Sequence, residues 1–143
     1  MAEETDAAEE IHFTSELPAP DALHRLFGTT GWNARLQLTE EQLAAAMRAS
    51  WFMVCAYEGD ALVGTGRMVS DGFYQCFVCD VIIRPDRQGR GIGRAVMERL
   101  LAHARSQGIR WLQLTSAAGK RGFYEQLGFV ARPDDAPGME IRF

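Results

Sequence analysis

The sequence predicts a mixed α/β (α+β) fold built on a mostly antiparallel sheet. Strand-like runs at residues 51–57, 61–70 and 73–83 follow one another with short joints, which favours consecutive antiparallel pairing. An amphipathic segment then separates the third run from another at residues 109–115, which favours a crossover helix and one parallel pair. We expect about six to seven strands and about four flanking helices.

The joints between the first three strands have the composition of tight turns. Residues 58–60 read Glu-Gly-Asp, and residues 71–72 read Asp-Gly. Glycine and aspartate tolerate the backbone conformations that hairpin turns require. Both joints therefore predict hairpins.

The region before these strands predicts one strand and two helices. Residues 11–15 can form a strand, and residues 18–27 carry apolar residues at helical spacing before Gly28. Thr39 and Gln42 form a capping box, in which each side chain satisfies a backbone N–H at the start of a helix ending near Ala49.

The region after the crossover predicts a short helix and two last strands. The helix occupies residues 120–127, and the strands occupy residues 129–131 and 139–143. Residues 1–10 are acidic and lack periodicity, which predicts a disordered tail. Residues 11–143 are then expected to form a single domain.

Composition excludes several classes of protein. No apolar run is long enough to span a membrane, and the N-terminus is acidic where a signal peptide is basic, so we expect a cytoplasmic protein without a membrane partner. The net charge of −4 argues against nucleic-acid binding. Cys55, Cys76 and Cys79 lie in strand-like runs without a second pair of ligands, so we expect no metal site.

The glycine-rich residues 88–93 lie between a strand and a helix. Glycines allow the backbone to approach a ligand closely, and a helix beginning there directs unpaired N–H groups at the same point. The spacing fits neither the dinucleotide fingerprint nor the nucleoside-triphosphate loop. Arginines at positions 84, 87, 90 and 94 favour a polyanionic ligand over a solvated helix start.

Two segments together resemble the GNAT superfamily of N-acetyltransferases. Residues 88–93 are similar to its acetyl-coenzyme A motif, and residues 123–129, Phe-Tyr-Glu-Gln-Leu-Gly-Phe, are similar to its second motif. The resemblance implies the GNAT fold and transfer of an acetyl group from acetyl-CoA to a primary amine of a small molecule or peptide. Direct attack within a ternary complex is the implied route, and no metal is implied.

The resemblance also implies the site residues. The acetyl-CoA set is Val81, Ile82, Ile83, Gln88, Gly89, Arg90, Gly91, Ile92, Gly93, Arg94, Phe123 and Tyr124. Tyr124 matches the residue that protonates the leaving thiolate, although it could simply pack against the sheet. Asp80 is the candidate base, and a purely structural carboxylate is an equal alternative.

Other expectations stay open at the level of sequence. His24 is a weaker candidate base, and aromatic residues near the central strands are either core or acceptor pocket. In this superfamily the last strand often serves a homodimer interface. A protein that binds acyl-CoA without catalysis is the alternative function, and retention of Tyr124 and Asp80 favours the enzyme.

Overall fold

A computed structural model describes residues 10–143 and shows helices on both faces of one mixed sheet. The expected disorder of residues 1–10 falls almost entirely outside the described residues. A short 3₁₀ turn (Pro85–Arg87) joins the strand that ends at Ile83 to the helix that begins at Ile92. The strands are β1 (Ile11–Thr14), β2 (Phe52–Glu58), β3 (Ala61–Ser70), β4 (Gln75–Ile83) and β5 (Trp111–Gln113), and the helices are α1 (Pro20–Gly28), α2 (Asn33–Leu36), α3 (Glu40–Ala49), α4 (Ile92–Ser106) and α5 (Arg121–Gln126).

The sheet has the predicted pairing. Its strand order is β1-β2-β3-β4-β5, with antiparallel pairs throughout except for the last. β5 returns parallel to β4 after the α4 crossover. The prediction of a mostly antiparallel, mixed sheet is therefore confirmed.

The capping box that begins α3 is also confirmed. The Gln42 N–H donates to Thr39 Oγ1 at 3.1 Å, and the Thr39 N–H donates to Gln42 Oε1 at 2.9 Å. These bonds satisfy two donors that the first turn leaves free. They fix where α3 begins on the sheet.

Two apolar clusters lie on opposite faces of the sheet. On one face α4 packs through Val96, Met97 and Leu100 against β2, β3 and β4. On the other face α1 and α3 pack against β2 and β3 through Leu26, Leu43 and their neighbours. The sheet is therefore the middle of three layers.

The prediction of six to seven strands is wrong, because the described residues form five. Residues 129–131 and 139–143 form no helix or strand and have no strand partner within residues 10–143. Val130 is 88% exposed and Ile141 is 78% exposed. The alternating pattern was present in the sequence, but a strand also needs a neighbour, and none is supplied here.

Two smaller differences concern element limits. The structure has the short helix α2 between α1 and α3, where the sequence predicted no helix. The strand expected at residues 109–115 is limited to Trp111–Gln113. No helix within the described residues has the length and apolar character needed to cross a membrane.

Candidate active site

The glycine loop presents a run of free backbone donors. The N–H groups from Gly89 to Arg94 donate no hydrogen bond to any described residue. Gly89 has φ 76° and Gly91 has φ 81°, both in the left-handed region, and a Cβ on either would meet no atom within 4 Å. The loop is therefore open, and its free donors continue directly into the first turn of α4.

One backbone bond and one side-chain bond hold the turn that leads into this loop. The Arg84 N–H donates to the Val63 carbonyl at 2.7 Å, and Gln88 Nε2 donates to the Ile83 carbonyl at 3.1 Å. In this state Gln88 thus contacts the end of β4. The expected role of its side chain beside a ligand stays a prediction.

The arginine cluster is mostly paired with carboxylates. Arg84 contacts Asp86, Arg87 contacts Glu58, and Arg94 contacts Glu98. Within the described residues Arg90 makes no ion pair, so it is the cation of the cluster that is free for an anion. The net electrostatic attraction of this cluster for an anion is therefore smaller than its four arginines indicated. The directed backbone N–H groups of the loop are the more important donors for an anion.

The two sequence motifs meet at Gly93. A Cβ placed on Gly93 would lie 3.4 Å from Ile83 Cγ1 and 3.7 Å from Phe123 Cζ. The start of α4, the end of β4 and helix α5 therefore come together at one point. The absence of a side chain at Gly93 allows this close packing.

β4 and β5 separate beside this point. Their pairing runs only from Gln75 opposite Trp111 to Phe77 opposite Gln113. Beyond Phe77, β4 continues to Ile83 without β5 as a neighbour. The edge of β4 from residue 78 onward is therefore open to an extended ligand, and Val81, Ile82 and Ile83 lie along it.

Asp80 occupies a β-bulge in β4. Asp80 and Val81 together lie opposite Gly66 of β3, because the flanking pairs are Arg67 with Cys79 and Thr65 with Ile82. Asp80 has φ 53°, a left-handed conformation that aspartate tolerates better than most residues. The bulge shifts the alternation, so that Val81 and Ile83 face α4 and Ile82 faces the α1–α3 side.

The Asp80 carboxylate is held by an arginine that the sequence analysis did not single out. Arg67 Nε lies 2.8 Å from Asp80 Oδ2, and Arg67 Nη1 donates to Ser50 Oγ at 3.4 Å. Asp80 Oδ1 has no partner within the described residues. Arg67 was not recognisable from sequence, because its pairing with Asp80 depends on strand register and on the bulge.

Tyr124 packs against apolar rings, and its hydroxyl has no hydrogen-bond partner among residues 10–143. Its ring is edge-on to Phe123 at 5.0 Å and to Phe129 at 5.9 Å between centroids. Burial raises the pKa of Tyr124 above the ordinary value for tyrosine. The hydroxyl therefore stays protonated at neutral pH, as a proton donor requires.

Other candidates have structural roles. His24 Nε2 lies 3.1 Å from the Leu38 carbonyl, which ties α1 to the segment before α3. Cys55 and Cys76 are buried as expected, whereas Cys79 is only partly buried. Among residues 10–143, no three His, Cys, Asp or Glu side chains lie together as metal ligands would.

A groove of about 470 Å³ lies elsewhere on the molecule. Phe13, Phe52, Arg99 and His103 are among its lining residues, between β1–β2 and α4. The ring of His103 stacks on Phe52 with centroids 3.7 Å apart. None of the predicted site residues lines this groove, so chemistry and geometry place the candidate site at the glycine loop.

Comparison with known proteins decides the family. Residues 16–129 match the family model described as the acetyltransferase (GNAT) family. The chain belongs to the GNAT acetyltransferase family. The glycine loop and the second motif both lie within the matched residues, so the sequence resemblance is confirmed.

Relatives and solved structures agree with this membership. A protein of Oryza sativa subsp. japonica named serotonin N-acetyltransferase 2, chloroplastic, is 38% identical over 124 residues, covering 82% of this chain. The chain spans only 60% of that relative's length. A GNAT family acetyltransferase of Streptococcus pneumoniae is 31% identical with a TM-score of 0.74, covering 94% of this chain and 97% of the other.

A Staphylococcus aureus protein shows the same fold at lower identity. Its TM-score is 0.84 at 22% identity, and the match covers 94% of this chain and all of the other. Together with the family match, this confirms the GNAT fold with a five-stranded sheet.

The left-handed backbone at Asp80 generates a stability prediction. Asp80→Ala should lower the free energy of unfolding by about 1 kcal/mol more than Asp80→Asn, because asparagine tolerates this conformation and alanine does not. Both variants lose the charge, so their difference reports the backbone conformation together with the one hydrogen bond that the asparagine amide oxygen can still accept from Arg67. Urea unfolding measures it.

Asp60 provides the matched control for this prediction. It is exposed in the β2–β3 turn and is not in the left-handed region. Asp60→Ala and Asp60→Asn should differ by less than about 0.5 kcal/mol. Equal losses for the two Asp80 variants would contradict the bulge as a source of constraint.

Proposed function

We propose that the protein is an N-acetyltransferase that moves an acetyl group from acetyl-CoA to a primary amine of a small molecule or peptide. The observation that carries the proposal is the run of free N–H groups from Gly89 to Arg94, packed through Gly93 against the second motif. Direct attack of the amine on the thioester, in a ternary complex, is the proposed route. No metal takes part.

The residues present suit acetyl-CoA as cosubstrate. Free N–H groups at a helix N-terminus bind phosphate oxygens, and the space around Gly89 and Gly91 is open. Arg90 adds a charge that no described carboxylate neutralises. The open edge of β4 at Val81–Ile83 offers backbone groups to the pantetheine arm, and Phe123 and Tyr124 close the other side.

The amine must lose a proton before or during attack. An alkylamine resembles lysine, with a pKa near 10, so it arrives mostly protonated at neutral pH. Asp80 Oδ1 is free to accept that proton directly or through water, while Arg67 holds Oδ2. Asp80 is the proposed base. An Asp80→Asn enzyme with unchanged activity and pH dependence would instead leave Asp80 a structural role.

The leaving thiolate needs a proton, and Tyr124 is the proposed donor. Tyr124→Phe keeps the packing with Phe123 and Phe129 but removes the hydroxyl. We expect kcat to fall about 100-fold, with little change in acetyl-CoA affinity. In the unsubstituted enzyme the alkaline fall in rate should begin above the ordinary tyrosine pKa of about 10, because burial raises the pKa of Tyr124.

Phe123→Leu is the control for this substitution, since it alters packing while leaving the Tyr124 hydroxyl in place. Steady-state rates across pH measure both variants. A Tyr124→Phe enzyme that turns over at the original rate, with the alkaline limb intact, removes the acid from the mechanism.

Acetyl-CoA binding has its own prediction. Gly91→Ala should weaken binding about five- to thirtyfold, because a left-handed alanine costs about 1–2 kcal/mol and the loop must strain or shift. Gly28→Ala is the matched control: Gly28 lies at the end of α1, is not left-handed, and has open space around it. Isothermal titration calorimetry measures both, and equal affinities would contradict the loop as the donor site.

The acceptor is best sought with a panel of amines. Release of coenzyme A thiol should be measured with arylalkylamines, polyamines and peptides with free N-termini. The name of the rice relative makes arylalkylamines the first class to test, and Phe77 and Trp111 are exposed on the sheet. Acetyl-CoA binding without thiol release from any amine would favour the non-catalytic acyl-CoA sensor.

A homodimer is proposed on the evidence of the C-terminal segment. Met139 and Ile141 are 92% and 78% exposed, alternate with charged residues, and have no strand partner in the part of the chain that the structure describes. Such a segment can add a strand to a second copy. The cytoplasmic location stays a prediction.

Light scattering after size-exclusion chromatography tests the homodimer. The full chain should elute as a dimer, and Ile141→Asp should shift it toward the monomer, because a charge would enter the interface. Leu36→Asp, at an exposed position of α2, should leave the dimer intact. A monomer for the full chain would contradict the proposal.

A further inference from the structure

The turn before the glycine loop contains a series of connected ion pairs that the proposed chemistry does not use. Arg84 Nε lies 2.6 Å from Asp86 Oδ1, and Arg87 Nη1 lies 3.1 Å from Asp86 Oδ2. Arg87 also binds Glu58 with two parallel bonds, from Nε to Oε2 at 2.7 Å and from Nη2 to Oε1 at 3.0 Å. Glu58 therefore anchors the whole series of ion pairs.

Glu58 comes from a distant part of the sequence. It ends β2, beside the β2–β3 hairpin, whereas Arg87 ends the 3₁₀ turn that precedes the loop. The Glu58 and Arg87 side chains are 18% and 23% exposed, so this pair is largely shielded from water. The Arg94–Glu98 pair on α4 is 53% and 56% exposed. Of these two pairs, only Glu58–Arg87 joins two separate elements of the fold.

A bidentate pair fixes direction as well as distance. The planar fork of arginine matches a carboxylate in a single orientation, which an isolated point charge does not impose. Held in this way, Arg87 sets the path of the chain directly before Gln88 and Gly89. The backbone bonds from Arg87 N–H to the Arg84 carbonyl and from Gln88 N–H to the Pro85 carbonyl lie inside the same turn.

The charges of this series of ion pairs do not indicate that it serves to attract an anion. The two arginines and two carboxylates of these pairs cancel in charge. Hydrogen bonds from Arg87, with further contributions from the charges of Arg87, Arg90 and Arg84, hold the pKa of the Glu58 carboxyl below its usual value. Glu58 therefore stays charged at neutral pH, and the pair is lost only as the pH falls through that lowered pKa.

We propose that Glu58 is a positioning residue for acetyl-CoA: its bidentate pair with Arg87 preforms the glycine loop, so that the free N–H groups are aligned before the coenzyme binds. This rests on the proposed function of the loop. Preforming a site lowers the ordering cost of binding and leaves the chemical step unchanged. Loss of the pair should thus raise KM and Kd for acetyl-CoA while kcat is maintained.

The test is Glu58→Gln, with Glu98→Gln as the matched control. Each substitution neutralises a glutamate that pairs with an arginine near the loop. Only Glu58→Gln breaks a bidentate pair. We expect the Kd of Glu58→Gln for acetyl-CoA to rise about tenfold, and kcat to stay within about twofold. Glu98→Gln should bind with unchanged or slightly tighter affinity.

Two outcomes would overturn the proposal. Tighter binding by Glu58→Gln would make Glu58 a brake on anion binding, and equal weakening by Glu98→Gln would make charge, not geometry, the cause. Arg87→Lys keeps the charge and loses the fork, so it should weaken binding about as much as Glu58→Gln. The double variant, Glu58→Gln with Arg87→Lys, should bind acetyl-CoA no more weakly than the weaker-binding single variant, because both substitutions break the same pair.

Amide hydrogen exchange tests the same inference without any coenzyme. In Glu58→Gln the amides of Arg84, Arg87 and Gln88 should exchange faster than in the unsubstituted chain, and in Glu98→Gln they should not. Unchanged exchange in Glu58→Gln would contradict the positioning role. If the unsubstituted chain fails to bind acetyl-CoA, the proposed function fails, and the exchange result still decides whether Glu58 orders the turn.

Discussion

The bulge in β4 is the constraint on which the rest of the site depends. Two residues, Asp80 and Val81, lie opposite Gly66, so the alternation of β4 changes phase in mid-strand. Before the bulge Cys76 and Val78 face α4, and after it Val81 and Ile83 do. Ile83 can therefore meet Gly93 at the start of α4, while Asp80 is directed toward Arg67 on the other face.

Directed hydrogen bonds outweigh net charge at the glycine loop. Most of the arginines around the loop are neutralised by nearby carboxylates, so long-range attraction is modest. The free N–H groups of the loop are fixed donors and need no side-chain ordering. In the proposed function, affinity for a pyrophosphate depends on how well the turn at Pro85–Arg87 holds these groups, and a carboxylate such as Glu58 is proposed to favour anion binding by holding that turn.

Local sequence signals predicted much of this arrangement. The Thr39 capping box, the hairpin joints and the glycine loop each depend on a few neighbouring residues, and the second motif identified the family. The pairs Arg67–Asp80 and Glu58–Arg87 join positions far apart in sequence, so they depend on strand register that no local pattern contains. Residues 139–143 show the converse: strand periodicity was read correctly, but within residues 10–143 no partner strand exists to complete it.

In the proposed function the backbone of the glycine loop binds acetyl-CoA, and nuclear magnetic resonance measures that binding directly. Titration of the ¹⁵N-labelled chain with acetyl-CoA should shift the amide resonances of residues 89–94 most strongly, with smaller shifts along Val81–Ile83. The groove beside Phe52 and His103 should stay unaffected. Shifts confined to that groove, or none at the loop under saturating acetyl-CoA, would contradict the assignment.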